Sequence, residues 1–421
     1  MDYVPRLIDP LIDELLTELP ALLLVGPRAV GKTTTARRVG ASLLRLDRPA
    51  DAAAARLDPD ALLAGEREPV VIDEWPRVPE ILGAVKRAVD DRGHAAMFLL
   101  TGSAGTELGA DGWPATGRVV RLPMWGFTVA ERLSSGAGAL PAPFLDRVRG
   151  AHLDAVRPRG RQPDPRAYID HALTGGFPEV VSLSTPERRR RWLASWIDQV
   201  VARDVPLVGA SRDPVRLRRY LTALAAQTAG LPQDQTLYEA AGINRVTASA
   251  YDTVLETVFV TERIPAWASN RLDRLVRTAK RHLVEPALVG PLLGVDSRAV
   301  LRDPDLLGRL LDSFVVAQLR PELTVASGEP RLFHLRSANG RREVDLIAER
   351  ADGSVVGIEV KATTSPSRDD ARHLLWLRDA LGERFDAGVV LHAGTAVARL
   401  DDRILALPIS ALWSGAEAQP S

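Results

Sequence analysis

The residues with the plainest chemistry lie near the N-terminus, in Gly26-Pro27-Arg28-Ala29-Val30-Gly31-Lys32-Thr33-Thr34. The first eight fit G-x-x-x-x-G-K-[ST], the spacing of a loop that cradles phosphates. The glycines let backbone N–H groups turn toward an anion. Lys32 would reach the β- and γ-phosphates of a nucleotide as a mobile point charge, and the Thr33 hydroxyl would hold Mg²⁺. The helix opening at Lys32-Thr33-Thr34 would aim its positive N-terminus at the same anion. Further on, Val70-Val71-Ile72-Asp73-Glu74 is an apolar run ending in two acids. Asp73 suits the Mg²⁺ shell, and Glu74 suits orienting and activating the attacking water. The next apolar run ends Leu100-Thr101-Gly102-Ser103. Ser103 or Thr101 could contact the γ-phosphate or that water, or could merely cap a strand. Arg118, after a glycine-rich stretch, is a candidate finger for transition-state charge, or a surface arginine in a chain full of them.

A second constellation lies near the C-terminus, in Glu343-Val344-Asp345-Leu346-Ile347 and Val355-Val356-Gly357-Ile358-Glu359-Val360-Lys361. Strand period two puts Glu359 and Lys361 on one face. An acid on one strand and E-x-K on the next resembles the PD-(D/E)xK nuclease core. The resemblance implies that Asp345 and Glu359 share a second divalent cation, that Lys361 stabilises the attacking water or the phosphorane charge, and that Asp312 supplies a helix acid. Asp345, Glu359 and Lys361 should therefore meet at one strand edge, with Asp312 close by. Only four of the 54 basic residues are lysine, at 32, 86, 280 and 361. A lysine that survives such an arginine bias marks a place where a compact ammonium is needed, since arginine pairs with carboxylates at least as well. Whether this core cuts nucleic acid or keeps only the scaffold stays open.

These residues need elements to hold them. The strand candidates Ala21–Val25, Leu43–Leu46, Pro69–Asp73 and Ala95–Leu100 alternate with helical stretches, one with its apolar face at 81, 82, 85, 88 and 89. That alternation predicts an α/β fold with a parallel sheet and crossover helices. Residues 134–168, rich in Gly, Pro, Ala and Arg, read as a loop or insertion. A helical stretch over Glu187–Val205 follows. Leu237–Ile243 and Val246–Val258, with Gly242 between them, have the form of a helix–turn–helix, and Phe259-Val260-Thr261 could open a wing. Its second helix offers Arg245 beside Thr247, Ser249 and Asp252, thin for phosphate contacts. Arg271, Arg274, Arg277, Lys280, Arg281 and His282 form a denser basic run, either a nucleic-acid patch or a solvated edge. A helix at Leu306–Leu319 then precedes strands at 331–336, 343–348 and 355–361, a helix at 369–382 and strands at 387–391 and 403–408. The domain reading is 1–135, 136–212, 213–295 and 296–421.

Composition sets the outer bounds. The 421 residues are 46% hydrophobic and 26% charged, with 54 basic and 54 acidic side chains. This is a globular balance with room for several cores. Zero net charge argues against a globally basic nucleic-acid binder. With no cysteine there is no disulfide, thiolate metal site or Cys nucleophile. The N-terminus lacks a signal peptide's basic start, and no uncharged run is long enough to span a bilayer. A cytoplasmic protein without a membrane partner is expected.

The order of motifs, Walker A, Val-Val-Ile-Asp-Glu, Leu-Leu-Thr-Gly-Ser, Gly117-Arg118, Thr174-Gly175-Gly176-Phe177-Pro178-Glu179 and Arg203-Asp204, resembles the prokaryotic AAA-type ATP-binding proteins fused to a C-terminal domain of unknown function 4143. One departure is Trp75-Pro76, where that family carries a glutamine after its acid pair. The resemblance implies a P-loop AAA-type parallel sheet with a helical lid, a winged-helix-like segment and a C-terminal α/β nuclease-like domain. It also implies ATP and Mg²⁺ as cofactors. The expected activity is Mg²⁺-dependent ATP hydrolysis by a motor or switch. The alternatives are an ATP-gated nuclease acting on DNA or RNA, and a non-catalytic, nucleotide-switched regulator. The partner classes left open are a second copy of the chain, nucleic acid (DNA before RNA) and an unidentified protein.

Overall fold

Short strands that are apolar on every residue can exist only where both faces of a sheet are covered. The computed structural model has such a sheet. It describes residues 3–102, 116–134, 140–149, 153, 156, 158, 162–204, 213–269, 278–337 and 341–414. Strands β1 (Ala21–Val25), β2 (Ser42–Arg45), β3 (Val70–Asp73), β4 (Phe98–Thr101) and β5 (Val120–Pro123) lie in the order β2-β3-β4-β1-β5, every pair parallel. Alternate residues feed two cores. Leu22, Leu24, Val71 and Leu99 pack with Ile12 and Leu16 of helix Asp9–Leu16. Leu23, Val25, Ile72 and Leu100 pack with Trp75, Ile81 and Val85 across the other face. Each fully buried side chain of this size contributes about 1.5–3 kcal/mol. The topology also decides the chemistry: β4 runs between β1 and β3, so its C-terminal end separates the phosphate loop from the acid pair.

The middle of the chain is helical. Pro165–Thr174, Pro178–Ser182 and Pro186–Gln199 come first, the last passing into a π turn at Val200–Asp204. Pro214–Ala226, Asp234–Ala241 and Arg245–Thr257 follow. Gly242 is left-handed at φ 65°, which makes the turn between the last two. Strands β6 (Thr261–Ile264) and β7 (Lys280–Leu283) then pair antiparallel. The C-terminal sheet has the order β12-β13-β11-β10-β9-β8, from β8 (Arg331–Arg336), β9 (Glu343–Glu349), β10 (Val355–Lys361), β11 (Phe385–His392), β12 (Ala398–Asp401) and β13 (Ile404–Pro408). Helix Arg372–Leu381 covers one face, with Leu374 and Leu377 against Val355 and Phe385. Helix Pro304–Glu322 belongs to the core on the other face. There Phe314, Val315 and Leu319 join Leu346, Ile358 and Val389, and also Tyr168, Phe177 and Leu224 of the middle helices. The middle and C-terminal segments thus share one continuous core.

Three expectations are corrected. The stretch read as an insertion carries Phe144, Leu145, Val148, Leu153 and Val156, all buried in that shared core. The Phe144 N–H donates to Glu322 at 2.7 Å. Gly, Pro and Arg dominate its composition and hide five apolar anchors. Asp252, assigned to a polar face of the second helix, is buried and accepts from Tyr220 (2.8 Å), Arg263 (2.9 Å) and Arg281 (2.9 Å). Of the basic run, Lys280 and His282 are buried and Arg281 is spent on Asp234 and Asp252, so none of the three forms an exposed patch. Arg271, Arg274 and Arg277 lie outside the described residues. Helices Pro49–Leu57 and Pro59–Ala64 and strands β5 and β12 have no counterpart in the sequence reading.

Candidate functional site

The phosphate-loop sequence folds into a tight cradle at the C-terminal edge of the parallel sheet. Gly26 has φ 150°, and a Cβ there would stand 2.0 Å from the Met124 carbonyl oxygen, so no side chain is admitted. Ala29 and Gly31 are left-handed at φ 64° and 95°, and Gly31 leads into helix Lys32–Val39. These reversals curl the backbone around the Lys32 ammonium, which donates to the carbonyls of Gly26 (2.9 Å) and Pro27 (2.7 Å). Burial pulls the Lys32 pKa down to about 8; Glu74 and Asp73 oppose this and Arg28 adds to it. Val30 is buried, Arg28 is half-buried and Thr34 stands exposed on the helix.

The strand ends meet beside this loop. Asp73 accepts from the Thr33 hydroxyl at 2.7 Å and, with the same oxygen, from the Thr101 hydroxyl at the end of β4. Glu74 follows in a left-handed conformation at φ 55°. Burial raises its pKa above the ordinary carboxylate value, against the lowering effect of Arg28 and Lys32. Trp75, in place of the resembled family's glutamine, is buried, and a Cβ on Gly102 would lie 2.8 Å from its indole nitrogen. This contact fixes the segments after β3 and β4 against each other. The hydroxyl of Thr33 and the carboxylate of Asp73 are the hard oxygen donors that Mg²⁺ takes, so these residues fit the ion. Of the two candidates after β4, Thr101 reaches the site and Ser103 lies outside the described residues. The side chains of Arg203 and Asp204 lie outside them too.

Arg118 is placed elsewhere. It precedes β5, and β5 runs parallel to β1, so a full strand of four residues, about 13 Å, separates it from the edge that carries the loop. Its guanidinium donates to Asp90 at 2.8 Å.

Sequence reasoning missed what braces the loop. Arg6 is buried and donates to the Val30 carbonyl (2.9 Å), the Trp125 carbonyl (2.6 Å) and Glu131 (3.1 Å), with its guanidinium 4.4 Å from the centre of the Phe127 ring. Glu131 also accepts from the backbone of Leu7 and Thr128. The Gly176 carbonyl accepts from Phe127 N–H at 2.7 Å, and its own N–H donates to buried Glu285 at 2.8 Å. Pro178 lies 3.7 Å from where a Gly31 Cβ would be. The Thr174–Glu179 motif is thus packed against the phosphate loop.

The C-terminal residues also come together. Lys361 is 2.6 Å from Glu359 and 3.7 Å from Asp345. The Val360 N–H donates to Asp345 at 3.0 Å. Asp312, on helix Pro304–Glu322, shares with Glu343 and Asp345 a cleft of about 400 Å³. Burial and the nearby Asp345 raise the Asp312 pKa well above the carboxylate range; burial and Asp345 do the same to Glu359. The unexpected member is Lys280 of β7, 3.4 Å from Asp345 and 3.7 Å from Glu343. Burial disfavours its charge, but Asp345, Asp312 and Glu343 hold its pKa above the ordinary lysine value. Burial likewise opposes ionisation of Asp345, and Lys280 and Lys361 outweigh it, leaving its pKa lowered. A divalent cation does not fit here as the side chains stand, because ammonium groups occupy the spaces between the carboxylates: Lys280 beside Asp345 and Glu343, and Lys361 beside Asp345 and Glu359. Among the described residues no group of three or more His, Cys, Asp or Glu side chains is arranged to hold a metal ion. The signal for Lys280 was its rarity; its place in a basic run hid it.

A parallel sheet with a phosphate loop after β1 and acids at the end of β3, on the far side of β4, defines a P-loop nucleotide-binding protein. The family models agree. Residues 18–133 match the family model described as AAA domain, residues 165–299 match Domain of unknown function (DUF8612) and residues 307–412 match Domain of unknown function (DUF4143). The chain therefore combines an AAA-type ATPase-like domain with a C-terminal domain of unknown function 4143. It is 29% identical over 354 residues to Uncharacterized protein Rv2008c of Mycobacterium tuberculosis and, equally, to Uncharacterized protein Mb2031c of Mycobacterium bovis, covering 83% of this chain and 71% of each relative. Among solved structures it is similar to a Walker-type ATPase of Pyrococcus abyssi, at 15% identity and a TM-score of 0.40, covering 68% of this chain and 94% of that one. Among the described residues no helix is long and apolar enough to cross a membrane.

Proposed function

We propose that the chain hydrolyses ATP with Mg²⁺ at the Gly26–Thr33 loop and passes the resulting motion through its middle helices to the C-terminal domain. The observation that carries this reading is the hydroxyl–carboxylate–hydroxyl array of Thr33, Asp73 and Thr101 beside a lysine that donates to loop carbonyls. Incoming phosphates compete with those carbonyls for the Lys32 ammonium, and the loop N–H groups and the N-terminus of helix Lys32–Val39 take the remaining charge. Thr33 and Asp73 would hold Mg²⁺, which neutralises phosphate charge. Glu74, with a raised pKa and next to Asp73, accepts the proton of the attacking water. Thr101 orients that water or the γ-phosphate. Arg118, a strand length from its own loop, would act only on the site of a second copy.

The test is nucleotide binding and turnover of the purified chain. Lys32→Ala should abolish both, because among the described residues no other lysine approaches the loop. Full ATPase activity in that variant would overturn the assignment. Mixing Arg118→Ala chains with Lys32→Ala chains should restore some turnover if the finger acts between copies. No restoration, with light scattering showing monomers during turnover, would remove Arg118 from the mechanism.

A further inference from the structure

The C-terminal cluster has the acids of a metal-dependent nuclease and, in their midst, a lysine from another segment. We propose that Lys280 is a resident cation of this cluster, an intramolecular ammonium seated on Asp345, one of the two carboxylates to which the fold resemblance assigns a divalent metal, and that strands β6 and β7 bring it there.

The positions support this. Both oxygens of Asp345 already face an ammonium: Oδ1 lies 3.4 Å from Lys280 Nζ, and Oδ2 lies 3.7 Å from Lys361 Nζ. Oδ2 also accepts from Val360 N–H. Glu343 Oε1 is the second carboxylate on Lys280, at 3.7 Å, and Asp312 adds its field from the helix. The Lys280 side chain is only 4% exposed. A metal ion bound at 2.0–2.6 Å from the same oxygens would share that pocket with a buried like charge.

The lysine is also held in place. Lys280 pairs with Ile264 across the hairpin. Beyond β6 the chain docks on the edge strand of the C-terminal sheet: His334 N–H donates to the Pro265 carbonyl at 3.0 Å, and Trp267 N–H donates to the His334 carbonyl at 2.6 Å. On the β7 side, His334 Nε2 lies 3.0 Å from the Thr278 carbonyl. Both strands of the hairpin are thus tied to β8, which sets the ammonium over the acids. The residue type agrees, since this chain uses arginine almost everywhere, and a planar guanidinium fork is too large to take the place of an ion among converging carboxylates.

The experiment measures metal binding without nucleotide, so its outcome is independent of the ATPase reading. The full chain, stripped with chelator, is titrated with Mn²⁺ while the free ion is followed by electron paramagnetic resonance. Wild type should show no tight site that depends on Asp345. Lys280→Met should gain one, bound at least ~10-fold more tightly than anything in wild type, and Asp345→Asn in that background should remove it. Lys280→Arg, which keeps the charge, should gain none. Wild-type binding that is lost in Asp345→Asn, or a cooperatively melting Lys280→Met variant with no new site, overturns the proposal. If Lys280→Met does not melt cooperatively, amine acylation of wild type decides. The protection of Lys280 relative to exposed Lys86 should be unchanged by Mn²⁺. Labelling of Lys280 that increases with Mn²⁺ overturns the assignment.

Discussion

The two ends of the molecule each bury lysine beside carboxylates at strand ends, and they leave those lysines in opposite conditions. At the phosphate loop, Lys32 donates to two neutral carbonyls, and its pKa falls to about 8. In the C-terminal cluster, Lys280 and Lys361 lie against Asp345, Glu343 and Glu359, and their pKa values rise. Burial lowers the pKa of all three lysines, and Lys32 and Lys280 are both buried, so between those two the partner decides. A lysine with its counter-charge built into the protein is satisfied. One hydrogen-bonded to dipoles, with Asp73 and Glu74 acting on it only through their field, is poised for an anion from outside. Residue type and burial do not separate these roles; the charge of the hydrogen-bond acceptors does.

The widest separation should appear in stability. Asp345→Asn leaves buried Lys280 and half-buried Lys361 each short of a partner and should cost about 3 kcal/mol, read from urea unfolding. Lys32→Met should cost little or even stabilise, because it removes a buried charge that forms no ion pair among the described residues. Equal losses would break the comparison. Turnover comes next. Glu74→Gln should keep ATP binding and slow hydrolysis about 10²-fold, the scale of a lost general base; a variant at the wild-type rate would move the base elsewhere.

The pH dependence of ATP binding is a finer test. Bound phosphate favours the charged lysine, so the complexed Lys32 pKa lies above its free value of about 8. Affinity should be level below that pH and fall as pH rises through it, by up to ~10-fold per unit, with proton uptake visible by calorimetry in buffers of different ionisation enthalpy. Lys32→Arg, which does not titrate there, should give a flat profile over the same range. The smallest effect concerns the connection between the regions. Gln318 accepts from the Val129 N–H at 2.7 Å, and Gln318→Ala leaves that buried donor unpaired. The expected loss is about 1 kcal/mol in urea unfolding.

What could be read from sequence follows from how each site is written into the chain. The phosphate loop is contiguous, so glycines, lysine and threonine carry their own geometry. Glu359 and Lys361 are two apart on a strand, and period two alone puts them on one face. Lys280 and Asp345 are 65 residues apart and meet only through the docking of the hairpin on β8, which no local pattern encodes. Arg6 is equally remote from Glu131, 125 residues away. Phe144, Leu145 and Val148 were hidden for a different reason: they anchor a segment whose average composition is that of a loop. In each case the missing information was a tertiary contact, and for Lys280 the scarcity of lysine was the trace it left.

Helix Pro304–Glu322 has 19 residues and so is about 28 Å long. Its C-terminal part is moored to several other segments. Gln318 holds the backbone after β5, Arg320 holds Glu262 and the Val284 carbonyl, and Glu322 holds Phe144. Asp312, farther back on the same helix, borders the cleft that Lys280 lines. One rigid element thus touches both the segment after β5 and the border of the acid–lysine cluster, so a displacement at either end would strain the moorings at the other.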